Sequence, residues 1–213
     1  MSRLRTLLTL TTVLAIAAAG VASAHATKRI HIAGGTTQLT ISPAAASRLS
    51  ANSISLAAVA PATSSGSTFT FPIARGRLNP ANLHGRLIDQ GGLTVSNGTT
   101  TLDFRHLALT SNGNQMSVYA FGREPTTRAC HRSGRRPRQW RCVVTTRYGV
   151  ARIAKVTGLT TSAGTTSGTA YVTAFTAHVL NALAGKKIAA AGASLGTVAI
   201  TPTLNPAAPP AQS

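Results

Sequence analysis

Acidic side chains are almost absent from this chain: Asp89, Asp103 and Glu124 are the only three in 213 residues, against 21 Lys plus Arg. Glycoside hydrolysis usually takes two carboxylates flanking the scissile bond, and calcium sites gather several oxygen ligands. Three acids spread over different segments support neither. Cysteine is nearly as scarce, with Cys130 and Cys142 alone. A zinc site built on that pair would need two further ligands at short spacing, and His131 is the only histidine nearby. Long apolar runs are missing too, apart from one near the amino terminus.

That run has the layout of a secretory signal peptide. Ser2-Arg3-Leu4-Arg5 supplies the positive region, Thr6 to Val21 the apolar region, and Ala22-Ser23-Ala24 or Ala24-His25-Ala26 a small-residue cleavage site. The apolar region is about 16 residues, short of the ~20 strongly apolar residues of a spanning helix. Residues 1–26 are therefore expected to be removed, and the protein to be secreted or held peripherally at the cell envelope. In an oxidising compartment an even cysteine pair is normally joined, so a Cys130–Cys142 disulfide is expected.

The loop so closed is Cys130-His-Arg-Ser-Gly-Arg-Arg-Pro-Arg-Gln-Trp-Arg-Cys142. It holds five arginines, Arg132, Arg135, Arg136, Arg138 and Arg141, together with Trp140. The guanidinium fork suits phosphate and carboxylate oxygens, and an indole can stack on a sugar or a base or dip into a headgroup layer. The formal charge is +18, and loss of Arg3 and Arg5 leaves 16 of those charges. Such an excess attracts polyanions. The expected partner is an anionic cell-wall polymer, an acidic lipid surface or an extracellular polyanion, engaged by these six loop residues. Charge that serves solubility alone is the competing explanation.

Residues 27–200 read as one mainly β domain, an antiparallel β-sandwich with two short helices. Thr, Val, Ile, Leu and Gly alternate in short runs with frequent turns. Gly34-Gly35 predicts a hairpin between 28–33 and 36–41, and Asn97-Gly98 a second between 92–96 and 99–109. A strand is expected over 115–121, and one long or bulged strand over 140–156. Ser42-Pro43 predicts a helix over 44–51, and Thr176 caps another over 177–184 that ends at Gly185. Their flanks look alike, as in a weak strand–helix–strand repeat. The tail 201–213, rich in Pro and Ala, is expected to be disordered.

Several segments resemble the HtaA-like secreted domains of actinobacteria. They are Phe69-Thr70-Phe71-Pro72-Ile73, Gly76-Arg77-Leu78, Gly85 to Asn97 with its Gly91-Gly92-Leu93-Thr94-Val95, and Ala191-Gly192-Ala193-Ser194-Leu195-Gly196-Thr197-Val198. The resemblance spans roughly 37–200 and implies a β-rich domain. Well-known members bind haem through a tyrosine supported by histidine. In this sequence no tyrosine precedes Tyr119, and Gln90 stands where a histidine often precedes Gly-Gly. No haem ligand is carried over; Tyr119, Tyr148 and Tyr171 remain the tyrosine candidates.

Other motifs weigh less. Gly192-Ala193-Ser194-Leu195-Gly196 matches a nucleophile elbow, but no His, Asp or Glu follows Ser194. His84 and His106 would face each other across the Asn97-Gly98 hairpin in one register, near Asp103, and point apart in the next. His178 reads as a helix-face residue. Asn97-Gly98-Thr99 fits a glycosylation sequon, though a hairpin turn explains Asn-Gly by itself. The sequence thus predicts a non-enzymatic binding protein without metal or cofactor. Its first alternative is a carrier of haem or another hydrophobic ligand, and its second a structural or adhesive envelope domain.

Overall fold

In the computed structural model, residues 30–79, 83–123, 127–132, 140–145 and 148–204 are described, without the side chains of 123–148. The expected signal segment 1–26, most of the arginine loop and residues 205–213 lie outside that set. Along the described chain run β1 (Ile30–Ile41), α1 (Pro43–Ser50), β2 (Ser55–Val59), β3 (Thr63–Ser65), β4 (Thr68–Leu78), β5 (Gly85–Asp89), β6 (Gly92–Ser96) and β7 (Thr101–Ser111). They are followed by β8 (Gln115–Arg123), β9 (Thr127–Arg132), β10 (Trp140–Thr145), β11 (Tyr148–Ser162), β12 (Thr165–Val172), α2 (Ala174–Ala184) and β13 (Ser194–Leu204).

The expected mainly β chain with two helices is present, but the sandwich is not. Eight strands in the order β7-β5-β4-β1-β13-β12-β11-β8 close into a barrel, because β8 pairs back onto β7. The closing strand explains how. On one side β7 pairs first with β6 over 101–105 and then with β5 over 108–111, while its other side pairs with β8. The register shifts between Arg105 and Ala108, where His106 has φ 52°, and this bulge bends β7 from one neighbour to the next. Closure leaves the eight strands no free edge. β2 extends the sheet beyond β6, and β3 lies on β4.

Three strand expectations are corrected. Gly34-Gly35 is no hairpin: β1 runs straight through it, pairing with β4 on one side and β13 on the other. Gly35 has φ 118°, and a Cβ there would overlap the Thr201 carbonyl oxygen, so the residue serves a close backbone approach at a bulge. The strand expected over 140–156 is two strands, β10 pairing β9 and β11 pairing β8 and β12. The last strand passes Ile200 and ends at Leu204, held by the pairing of Thr203 with Gly34 and Leu204 with Ile32. Thr201–Leu204 therefore belong to the barrel rather than to a tail.

The helices follow their capping signals. Ser42 Oγ accepts from Ala45 N and Pro43 opens α1. In α2 the cap is Thr173, three residues earlier than expected, and Gly185 ends the helix in the left-handed conformation at φ 64°. Phe71, Leu87, Leu109, Val156 and Ile200 fill the barrel, and Leu49 of α1 with Ala177, Leu180 and Leu183 of α2 extend that core.

Candidate functional site

Helix α2 is set against the barrel by hydroxyls at its first turn. Thr173 Oγ1 accepts from Thr176 N at 3.2 Å and donates to the Arg152 carbonyl at 2.7 Å, while Thr176 Oγ1 donates to the Ile153 carbonyl. Both carbonyls belong to the bulge of β11 between Arg152 and Ala154. At the other end, Asn97 Nδ2 in the β6–β7 turn donates to Leu183 O at 2.8 Å, and Asn97 Oδ1 accepts from Thr100 N. Asn97-Gly98 is thus the expected turn, and its asparagine also tethers the helix.

Between these anchors lies an open groove of about 670 Å³. Ala177, Leu180 and Leu183 point into the core, while Phe175, His178, Val179 and Ala182 line the groove. The i, i+3, i+7 spacing of Phe175, His178 and Ala182 gives that face. Opposite are Phe104 of β7, Gly122 of β8, and Gly149 to Arg152 of β11. Small residues keep it open: a Cβ on Gly149 would meet nothing within 4 Å. Phe175 is 41% exposed and Val150 61%, and Phe175 meets Phe104 edge-on with ring centroids 6.3 Å apart. Exposed His178 supplies an imidazole beside this apolar surface, whereas Arg152 pairs with Tyr119 and shares its outer face.

A second space lies inside the core. It measures about 90 Å³ and is lined by apolar side chains apart from Thr37, Asp89 and Thr176. Asp89 is 1% exposed, and burial pushes its carboxyl up from 3.8 to about 7. The Thr37 hydroxyl pulls the other way, yet neither it nor either Asp89 oxygen completes a hydrogen bond among the described residues.

The residues singled out from sequence separate as follows. Arg132, Trp140 and Arg141 belong to β9 and β10, where Trp140 pairs with Arg132 and Arg141 with His131 along the backbone. Cys130 stands directly opposite Cys142 in the same ladder. The side chains of all five, and the whole of Arg135, Arg136 and Arg138, lie outside the described residues. His84 and His106 are not brought together. His84 directly precedes Gly85, which pairs with Ser111, five residues from His106 along β7, or about 17 Å at strand rise. His106 instead meets Phe121 edge-on at 6.4 Å, and Asp103 takes Thr94 Oγ1 and Arg105. Ser194 opens β13 as an exposed strand residue. Tyr119 and Tyr171 alternate with the buried Val118, Ala120, Ala170 and Val172, so both face outward, away from the groove. Among the described residues no three His, Cys, Asp or Glu gather as a metal site.

From sequence, His178 reads only as a helix-face residue, and the groove it lines was not expected. The missed signal was Thr173, whose earlier cap shows which stripe of the helix is left uncovered. Sequence reasoning also missed Asp89 as a core residue, although Asp89 is in phase with buried Leu87.

No family model matches this sequence, and no curated protein matches it either. Solved structures do. The C-terminal domain of HtaA from Corynebacterium glutamicum matches at 15% identity and TM-score 0.56, over 83% of this chain and 99% of that one. Its N-terminal domain matches at 13% and 0.51, over 80% and 97%. The haem-binding protein HtaB from Corynebacterium glutamicum matches at 13% and 0.50, over 84% and 96%. The fold of this chain is accordingly that of the HtaA and HtaB domains, as the resemblance in its sequence implied.

Proposed function

We propose that this chain is a non-enzymatic binding module that holds a haem-sized apolar ligand with acidic groups in the groove beside α2. The observation that carries this is the placing of the His178 imidazole beside apolar walls built by Phe175, Phe104 and Ala151. At about 670 Å³ the groove falls within the ~300–1,000 Å³ usual for ligand sites, whereas the inner cavity of about 90 Å³ is too small for such a molecule. Haem is the specific candidate, since HtaB with this fold is a haem-binding protein.

The donor set fits haem in a form unlike the tyrosine-ligated one. The outward-facing Tyr119 and Tyr171 do not line the groove, and the Tyr148 side chain lies outside the described residues; His178, which does line it, would hold the iron. The amino-terminal signal segment supports a place outside the cytoplasm, where such a ligand would be captured. Titration of the purified protein with hemin tests this. We expect a shifted Soret band that saturates at one equivalent, is lost in His178→Ala, and survives replacement of all three tyrosines. No shift in the wild type, or an unchanged shift in His178→Ala, overturns the assignment.

A second reading has the arginines of the 130–142 loop, with Trp140, hold an anionic polymer or acidic surface. The register that sets Cys130 opposite Cys142 favours it, because cross-strand neighbours are placed to close that loop.

A further inference from the structure

The barrel wall formed by β1, β4 and β5 carries a row of bases that neither reading uses. His31 pairs with Arg77 across β1 and β4, and Arg77 pairs with Arg86 across β4 and β5. Arg75 lies two residues from Arg77 on the same strand. All four are exposed and line one open groove of about 670 Å³, with His84 at its end. The inner face of these strands is apolar: Ile32, Phe71, Ile73 and Leu87 are buried.

The backbone forces the bases together. A Cβ on Gly85 would overlap the Arg77 carbonyl oxygen, and one on Gly76 would lie 2.8 Å from the Arg86 carbonyl oxygen. Glycine at both places lets β4 and β5 approach, which sets Arg77 and Arg86 side by side. Like charges directly opposite on neighbouring strands destabilise a sheet. Nothing in the described residues offsets them. Asp89 points into the core, Asp103 is engaged by Arg105, and Arg75, Arg77 and Arg86 form no ion pair there. Such an arrangement is stable once an anion bridges the row, and the row crosses three strands, or ~10 Å at the usual strand spacing. One small anion cannot span that distance. A chain of linked phosphates can, each taking two donors from a guanidinium fork.

We infer that the β1–β4–β5 wall is a binding site for a linear phosphate polyanion, held by Arg75, Arg77 and Arg86 with His31 at the edge. This site is separate from the groove beside α2, and the hemin titration does not bear on it.

The test compares two variants of equal charge. Arg75→Ser/Arg77→Ser/Arg86→Ser removes three charges from the wall, and Arg135→Ser/Arg136→Ser/Arg138→Ser removes three from the loop. Binding of defined-length polyphosphate is measured for both by fluorescence anisotropy or calorimetry, with circular dichroism confirming that each is folded. The wall variant should bind at least tenfold more weakly than wild type, and the loop variant within threefold of it. Polyphosphate should raise the melting temperature of wild type but not of the wall variant. Inorganic phosphate should compete only at far higher concentration, and acidic phospholipid vesicles should retain less protein than polyphosphate displaces. Equal losses in the two variants would reduce the effect to net charge, and a larger loss in the loop variant would place the site there. Either result, or vesicle binding stronger than polyphosphate binding, overturns the inference. Arg77→Lys/Arg86→Lys serves if the triple wall variant does not fold; it keeps the charge, removes the forks, and should still weaken binding severalfold.

Discussion

Replacing Asp89 with Asn should abolish most of the pH dependence of this protein's stability above pH 5. Asp89 is sealed in the barrel, and burial raises its carboxyl from 3.8 to about 7. Between those values the folded protein keeps the proton and the unfolded chain releases it. Stability is therefore complete below 3.8, falls as pH rises, and levels off above about 7. The full loss is ~4 kcal/mol at ~1.4 kcal/mol per pH unit, of which ~3 kcal/mol falls between pH 5 and pH 8. An Asn at this place stays neutral throughout. Its amide lacks partners as the protonated acid does, a cost of ~1–3 kcal/mol that does not change with pH. Urea denaturation of both proteins at pH 5 and pH 8 gives the answer, because their difference cancels every other titrating group. The advantage of Asp89→Asn should grow by ~3 kcal/mol between the two, or about 6–12 °C in melting temperature for a domain of this size. Parallel profiles, differing by less than ~1 kcal/mol in that change, would mean that the ionised carboxylate is hydrated or paired, and would refute the argument from burial.

The remaining predictions concern backbone and capping. Thr173→Ala removes the cap of α2 and the donor to the Arg152 carbonyl, and should cost ~2 kcal/mol in chemical denaturation; Thr173→Ser should recover most of it. Gly35→Ala sets a Cβ at φ 118° against the Thr201 carbonyl and should cost more than ~3 kcal/mol. Gly66→Ala, at φ 57° with nothing within 4 Å, should cost only ~1–2 kcal/mol and serves as its control.

What could be read in advance was whatever a few adjacent residues decide. Ser42-Pro43 fixed the start of α1, Gly185 the end of α2, and Asn97-Gly98 the β6–β7 turn, since each sets a local dihedral or satisfies a local donor. The barrel was hidden because its ring needs β1 to pair with β13, the first and last strands of the described chain, and no local signal marks such a pairing. Gly34-Gly35 misled for a related reason. Two glycines between alternating segments look the same whether the chain turns back or passes tightly between two neighbours, and only the partners β4 and β13 decide. The groove was missed because its walls come together only in the fold: Phe175 and His178 sit on α2, and the residues opposite them, Phe104, Gly122 and Ala151, come from three different strands. The basic wall was invisible because Arg75, Arg77 and Arg86 are scattered in sequence and meet only in register.

Barrel closure also decides how the two surfaces relate. Around the ring of eight strands, β4 and β11 stand four places apart, which is half the circumference. The arginine row is centred on β4, and Arg152 with Gly149 to Ala151 lies on β11 beside α2. In a sandwich the two strands would have been free to share a sheet and a face. In a closed barrel they look in opposite directions, with a packed core between them. The hairpin of β9 and β10 joins this arrangement on the groove side, because only residues 124–126 and 146–147 separate it from the ends of β8 and β11 at Arg123 and Tyr148. Links of three and two residues can span no more than ~14 Å, so the base of the hairpin stays near the rim that Gly122 and Gly149 form. A protein held to a phosphate polymer by its β1–β4–β5 wall would thus keep the groove beside α2 turned outward. The formal charge of +18 would then serve in two places, anchoring through the wall and drawing acidic ligands toward the groove.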